Sequence, residues 1–212
     1  MNLESQRRDY LSGGLRRRDL AADPLAQFDR WMQQALEAQV ADPTAMAAAT
    51  VSADGQPSQR IVLLKHFDER GFVFYTNFES RKALDLADNP RISLLFPWNA
   101  MNRQIKICGT AEPVGKPESA AYFSTRPRPS QLAAMASRQS RVLESREQLL
   151  VAFNELDERY RGAEVPPPED WGGYRVNAHE YEFWQGRPDR LHDRFRYSRS
   201  STDEWIIERL AP

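Results

Sequence analysis

Apolar positions spaced three and four apart begin at residue 25. Leu25, Phe28, Trp31, Met32, Ala35 and Leu36 share one face of a predicted helix, with Asp23 placed to cap it and Pro24 in its first turn. From Thr44 the period changes. Short apolar runs, AMAAATVS, RIVLLKHF and FVFYTN, are separated by ADGQP and DERG, the pattern of antiparallel strands joined by turns. SRKALDLADN predicts a short helix, and RISLLFPW and RQIKICGTAEPV predict two further strands. Helices return at about 117 to 125, 130 to 138 and 143 to 161, the last carrying Leu143, Leu149, Leu150, Phe153 and Leu156. After the Pro-rich loop EVPPPEDW the chain reads as strands again, in GYRVNAHEYEFWQ, FRYSR and EWIIERL. The sum is an α+β fold: a small closed or partly closed antiparallel barrel built from the middle and the end of the chain, with peripheral helices.

A length of 212 residues suits one domain, expected over 23–212, preceded by a polar, Arg-rich arm or lid over 1–22 that contains Gly13 and Gly14. With 29 Lys and Arg against 30 Asp and Glu, no global field draws the protein to nucleic acid or to an anionic membrane, so any anion specificity must be local. The single cysteine, Cys108, excludes a disulfide within the chain and reads as a buried thiol. No apolar stretch reaches the roughly 18 residues of a membrane span, and the N-terminus lacks a signal-like segment; a cytoplasmic protein is expected. His66, His179 and His192 are scattered, which argues against a metal centre.

Four clusters carry candidate chemistry. In NFESRK, Ser80 is placed to cap the next helix, which puts Arg81 and Lys82 in its first turn, the end that repels cations. A bound anion, phosphate above all, would resolve that conflict; a solvated pair is the plain alternative. In QRIVLLK, Arg60 and Lys65 bracket an apolar strand and, five apart, would lie on opposite faces, as ordinary strand ends also do. In YFSTRPRPSQ, Tyr122 and Arg126 share a helix face, Pro127 stops the helix and Ser130 is placed to cap the next, which suits a second phosphate or carboxylate or simply a Pro-broken connection. In EFWQGRPDRLHDR, Arg190, His192 and Arg194 alternate and on an extended segment would project to one side, unfavourable unless something anionic or electron-rich lies opposite.

Taken together, RRDYLSGGLRRRDL, DPTAMAAATV, QRIVLLKHFDERGFVFYTNFESRKA, NPRISLLFPW, YFSTRPRPSQ, EFWQGRPDRLHDRF and ERLAP resemble the pyridoxine (pyridoxamine) 5′-phosphate oxidase family from about residue 7 to the C-terminus. The resemblance implies a split antiparallel β-barrel homodimer with FMN in clefts between subunits. It implies oxidation of pyridoxine or pyridoxamine 5′-phosphate to pyridoxal 5′-phosphate, with O2 as acceptor and H2O2 released. Family flavin contacts fall on Arg60, Ile61, Val62, Leu63, Leu64, Lys65, Tyr75, Thr76, Arg81, Lys82, Gln104, Gln139, Ser140, Trp184 and Arg194. Substrate contacts fall on Lys65, Tyr122, Arg126, Ser130, Arg190 and His192, with Arg7 to Tyr10 as a lid; Arg190 and His192 are the implied catalytic pair. On this reading Arg190 and His192 press the substrate ring against the flavin, and His192 either assists proton removal or only positions the substrate. Two other readings stand beside it: a flavin oxidase with the same barrel and FMN but another aromatic substrate, or a non-catalytic flavin-binding or nucleic-acid-binding protein that uses the basic N-terminal arm.

Overall fold

The computed structural model describes residues 13–212; Arg7 and Tyr10 lie outside the described residues. Asp23 and Pro24 start the first helix as expected. The Asp23 carboxylate accepts from the Ala26 N–H at 2.8 Å, and α1 (Pro24–Glu37) buries Phe28, Trp31, Met32 and Ala35 against the sheet. The Phe28 ring meets Phe67, Phe72 and Phe96 edge to face, with centroids 4.9–5.1 Å apart, so one helix face seals the centre of the core.

The sheet has nine antiparallel strands: β1 (Ala45–Val51), β2 (Pro57–Leu63), β3 (His66–Asp68), β4 (Gly71–Asn77), β5 (Arg91–Trp98), β6 (Arg103–Pro113), β7 (Trp171–Gln185), β8 (Asp193–Arg199) and β9 (Trp205–Leu210). Its order is β2-β1-β5-β6-β7-β4-β3, with β8 on β7 and β9 on β8. The long β7 runs along β6 on one edge and divides its other edge, giving residues 171–176 to β4 and residues 180–185 to β8. A register shift lies opposite Cys108 and Gly109, where His179 is left over between Ala178 and Glu180. The extra residue bends the strand there, so the sheet curls into a split barrel that draws on the middle and end of the chain, as expected. Among the described residues no helix is long and apolar enough to cross a membrane.

Two element expectations need correction. RIVLLKHF is two strands: the Leu64 N–H still donates to Thr44 beside β1, whereas the Lys65 N–H donates to Val73 of β4. The chain changes partner between those residues while Leu64 turns into the core, 4% exposed. Arg60 and Lys65 therefore belong to different walls. The third of the late helices, α5 (Arg146–Arg159), starts three residues later than its apolar pattern suggests, because Ser145 caps it through the Gln148 N–H and leaves Leu143 exposed outside.

The remaining helices, α2 (Arg81–Asp88), α3 (Lys116–Thr125) and α4 (Arg128–Ala136), lie with α5 around the open side of the sheet. A second apolar cluster of Phe123, Leu132, Val165 and Trp171, with Phe153 and Leu156 packed against it, joins α3, α4 and α5 to the start of β7, whereas Ala83 and Leu86 of α2 belong to the main core.

Candidate active site

Between β2, β4, the start of α2 and the α3–α5 layer lies a cleft of about 1380 Å³. Its walls include residues from three of the four sequence clusters, Arg60 to Leu63, Lys65, Arg81, Lys82, Tyr122, Arg126 and Ser130, together with Tyr75, Thr76, Gln139 and Ser140, which the resemblance alone had pointed to. Leu64 lies behind this wall, in the core.

One part of the cleft is a cationic pocket. Arg60 is close enough to Arg81 and to Lys82 for each pair to repel. Lys82 is only 7% exposed and donates to Gln139 Oε1 (2.7 Å), Thr76 Oγ1 (2.9 Å) and Ser80 Oγ (3.2 Å). Ser80 therefore precedes α2 but does not cap it through its side chain; the hydroxyl faces the Lys82 ammonium instead. Burial, and then the Arg60 charge, bring Lys82 down to about 8. A phosphate seated here would favour the charged ammonium and raise that value. Affinity for a phosphate-bearing ligand should thus be full below about pH 8 and fall as the pH rises through it, which a titration of binding between pH 7 and 9.5 will show.

A second group of cleft residues is organised by rings. Tyr75 stacks on Tyr122 (centroids 4.0 Å, 17°) and on Trp171 (5.3 Å, 9°), and the Arg126 guanidinium carbon lies 4.8 Å from the Trp171 centroid. Arg126 Nη1 is shielded from solvent and makes no hydrogen bond, a donor awaiting an acceptor. Burial lowers the Arg126 guanidinium from its ordinary value and raises the Tyr122 phenol. As expected, Tyr122 and Arg126 end one helix and face one space. Ser130 does not cap the next helix: α4 already starts at Arg128 after Pro127, and Ser130 lies within its first turn, on the cleft wall.

Trp171 was not anticipated as a site residue. Its signal was an aromatic followed directly by two glycines after the Pro-rich loop; a β-carbon on Gly173 would come within 2.9 Å of the Tyr75 ring, so the close stack needs that position bare.

Gln104, Trp184, Arg190, His192 and Arg194 are brought together elsewhere. Trp184 pairs across the sheet with Gln104 on one side and Arg194 on the other, and its ring centroid is 4.6 Å from that of His192. Tyr75 pairs with Gly173 at the other end of β7, so roughly 35 Å of strand at about 3.3 Å per residue separates the two groups. Arg194 Nε donates to Glu182 (2.7 Å) and its Nη1 to the Ala211 carbonyl (2.8 Å). The expected alternation of Arg190, His192 and Arg194 along one extended face is not present: Pro188–Arg190 form a 3-10 turn, Asp189 and Arg190 have φ of 54° and 60°, and β8 begins only at Asp193. The turn following Pro188 breaks the strand. His192 Nδ1 accepts from the Arg187 N–H at 3.1 Å, and burial with the Arg190 charge holds the imidazole below its ordinary value.

Residues 32–160 match the family described as Pyridoxamine 5′-phosphate oxidase, and residues 171–212 match the Pyridoxine 5′-phosphate oxidase C-terminal dimerisation region. Pyridoxine/pyridoxamine 5′-phosphate oxidases of Escherichia fergusonii and Escherichia coli K12 are each 55% identical over 206 residues, covering 97% of this chain and 94% of theirs. The crystal structure of PhzG from Burkholderia lata, in complex with tetrahydrophenazine-1-carboxylic acid, superposes with a TM-score of 0.87 at 35% identity over 92% of this chain and 95% of that one. A pyridoxamine 5′-phosphate oxidase-related, FMN binding protein from Nostoc punctiforme shares the fold, with a TM-score of 0.73 at 17% identity over 91% and 100% of the two chains. With its split barrel, its cleft and both of its family segments in place, the chain belongs to the pyridoxamine 5′-phosphate oxidase family.

Proposed function

We propose that this protein oxidises pyridoxine 5′-phosphate or pyridoxamine 5′-phosphate to pyridoxal 5′-phosphate with FMN as its cofactor. The observation that carries this reading is one cleft lined by two groups of cationic side chains, Arg60 with Arg81 and Lys82 and Arg126 with Lys65; a phosphorylated flavin and a phosphorylated vitamer each bring a phosphate for one of them. The residues fit the cofactor: Arg60, Arg81 and Lys82 supply three cations for one phosphate, and Gln139, Thr76 and Ser80 already converge on Lys82. The orphaned Arg126 Nη1, with Lys65, Tyr122 and Ser130 on the same cleft, suits the phosphate of the substrate.

FMN, held by these residues, would supply the two-electron redox chemistry, a hydride acceptor for the substrate with O2 as the final oxidant and H2O2 as its two-electron, two-proton reduction product. The chain binds, orients and shields. Arg126 and its neighbours fix one end of the substrate, and Arg190 offsets charge as it develops at the ring. With Nδ1 accepting from the Arg187 N–H, the neutral imidazole of His192 carries its proton on Nε2, so it serves the substrate as a hydrogen-bond donor there.

Arg190, His192, Trp184, Arg194 and Gln104 complete the site from a second copy. Three observations support this: the length of β7 between the two groups, the position of Trp184, Arg190, His192 and Arg194 inside the family's dimerisation region, and the outward-facing Ile61 (61% exposed) and Leu63 (43%) on edge strand β2 at the cleft. The lid role expected for residues 1–22, with Arg7 and Tyr10 as its substrate contacts, is part of the same proposal. The root of this arm is anchored near His192: the Leu15 N–H donates to Asp193 at 3.0 Å, and Leu15 and Leu20 join the main core.

The experiment is an absorbance spectrum of the purified protein with FMN, before and after pyridoxine 5′-phosphate without oxygen. Bleaching of the flavin band by the phosphorylated substrate, and not by unphosphorylated pyridoxine at the same concentration, is expected. A flavin that stays oxidised refutes the reading.

A further inference from the structure

Beneath the cationic pocket is a buried polar chain that reaches it only through Arg60. Thr50, on β1, is fully buried, and Asp85, on α2, is 5% exposed. The Thr50 hydroxyl donates to Asp85 Oδ2 at 2.6 Å and accepts from Arg60 Nη1 at 2.7 Å. Arg60 Nη1 also reaches the Ala48 carbonyl (3.2 Å), Nη2 donates to Ser58 Oγ (2.8 Å), and Nη2 lies 3.9 Å from Asp85 Oδ2. Three elements, β1, β2 and α2, are thus joined through a single guanidinium.

The placement is costly without a purpose. A carboxylate out of water carries a penalty of several kcal/mol unless a charge and hydrogen bonds compensate it, and an apolar side chain would fill the same space beneath α2 without that penalty. Here the compensation is Arg60 together with Thr50. The arrangement serves Arg60 in two ways. It fixes a long, rotamer-rich side chain in one orientation before any ligand arrives, so less conformational freedom is lost on binding. It also sets one negative charge behind three cations, which limits their mutual repulsion while the pocket is empty. Asp85 lies one helical turn beyond Arg81 and Lys82 on the same helix, so the link also ties the start of α2, and with it those two cations, to β1 and β2.

We propose that Thr50 and Asp85 are positioning residues for the flavin phosphate, acting through Arg60. The proposal rests on the FMN reading above. It assigns to these two side chains a role in selecting the phosphorylated over the unphosphorylated flavin, and no contact with substrate or with the flavin ring.

The test is binding of FMN and of riboflavin to flavin-free full-length protein, followed by quenching of flavin fluorescence, with thermal unfolding recorded for each variant. Asp85→Asn keeps an acceptor for the Thr50 hydroxyl and removes the charge. Thr50→Val keeps the shape and removes the hydroxyl, and Thr50→Ser restores it. About tenfold weaker FMN binding is expected for Asp85→Asn and Thr50→Val, the loss of one charge-assisted hydrogen bond's worth of orientation, with Thr50→Ser near wild type and riboflavin affinity the same in all four proteins. Equal weakening of FMN and riboflavin would make the chain a general structural element and overturn the proposal, as would FMN affinity unaltered in both variants. If Asp85→Asn does not fold, the Val and Ser pair at position 50 decides alone. A wild-type protein that binds no FMN would instead sink the parent reading.

Discussion

Arg190→Ala is expected to lower kcat/KM for pyridoxine 5′-phosphate by about 10²- to 10³-fold while FMN stays bound, the scale for removing one preorganised donor aimed at developing charge. Alanine is the informative replacement. Arg190 has a φ of 60°, and alanine bears the same β-carbon constraint, so the 3-10 turn is left with the backbone preference it had; glycine would relax the turn as well as remove the charge. His192→Asn is expected to cost less, on the order of tenfold, since the amide retains a donor for the substrate. The measurement is steady-state turnover with the flavin content of each variant verified by absorbance. Turnover equal to wild type in the Arg190 variant would remove it from the catalytic pair, and loss of flavin in step with turnover would make it a cofactor ligand instead.

Arg126→Ala should act on the other side of the ratio. The substrate phosphate is remote from the bond that breaks, so its loss weakens ground state and transition state alike: KM rises by about 10- to 100-fold and kcat changes little. The size follows from roughly 1.5–3 kcal/mol for each hydrogen bond made to a charged group. Arg126→Lys should recover only part of the loss. An ammonium replaces the charge but not the flat group that lies on the Trp171 face, with Nη1 buried and without a hydrogen-bond partner. Kinetics with phosphorylated substrate, alongside FMN affinity, separate the possibilities; an unaltered KM would place the substrate phosphate elsewhere.

Much of this architecture was legible in the sequence because the governing signals are local. The Asp23-Pro24 start, the apolar face of α1 and the turn chemistry between strands each follow from a few adjacent residues. The cationic first turn of α2 was legible for the same reason: Arg81 and Lys82 stand where a helix repels cations, and the structure lines the cleft with both. What escaped depends on long-range pairing. Nothing within RIVLLKHF announces that Leu64 bonds back to Thr44 while Lys65 bonds forward to Val73. The alternation of Arg190, His192 and Arg194 looked like a strand because period-two spacing is all that a sequence displays, whereas Pro188 and two left-handed residues set a turn there. Trp171 and the Thr50–Asp85 pair were invisible for a related reason: each acquires its meaning from a partner more than 30 positions away, Tyr75 or Arg126 for the one and a contact across 35 residues for the other.

The span of β7 between Gly173 and Trp184 has a consequence for inheritance. On the two-copy site proposed above, Arg126 and Arg190 of each cleft come from different chains, so a defect in one and a defect in the other need not compound. Two gene products, each inert when paired with itself, rebuild one whole catalytic centre whenever they meet, so a cell carrying both lesions on separate copies keeps a share of its vitamer oxidation that neither copy provides alone.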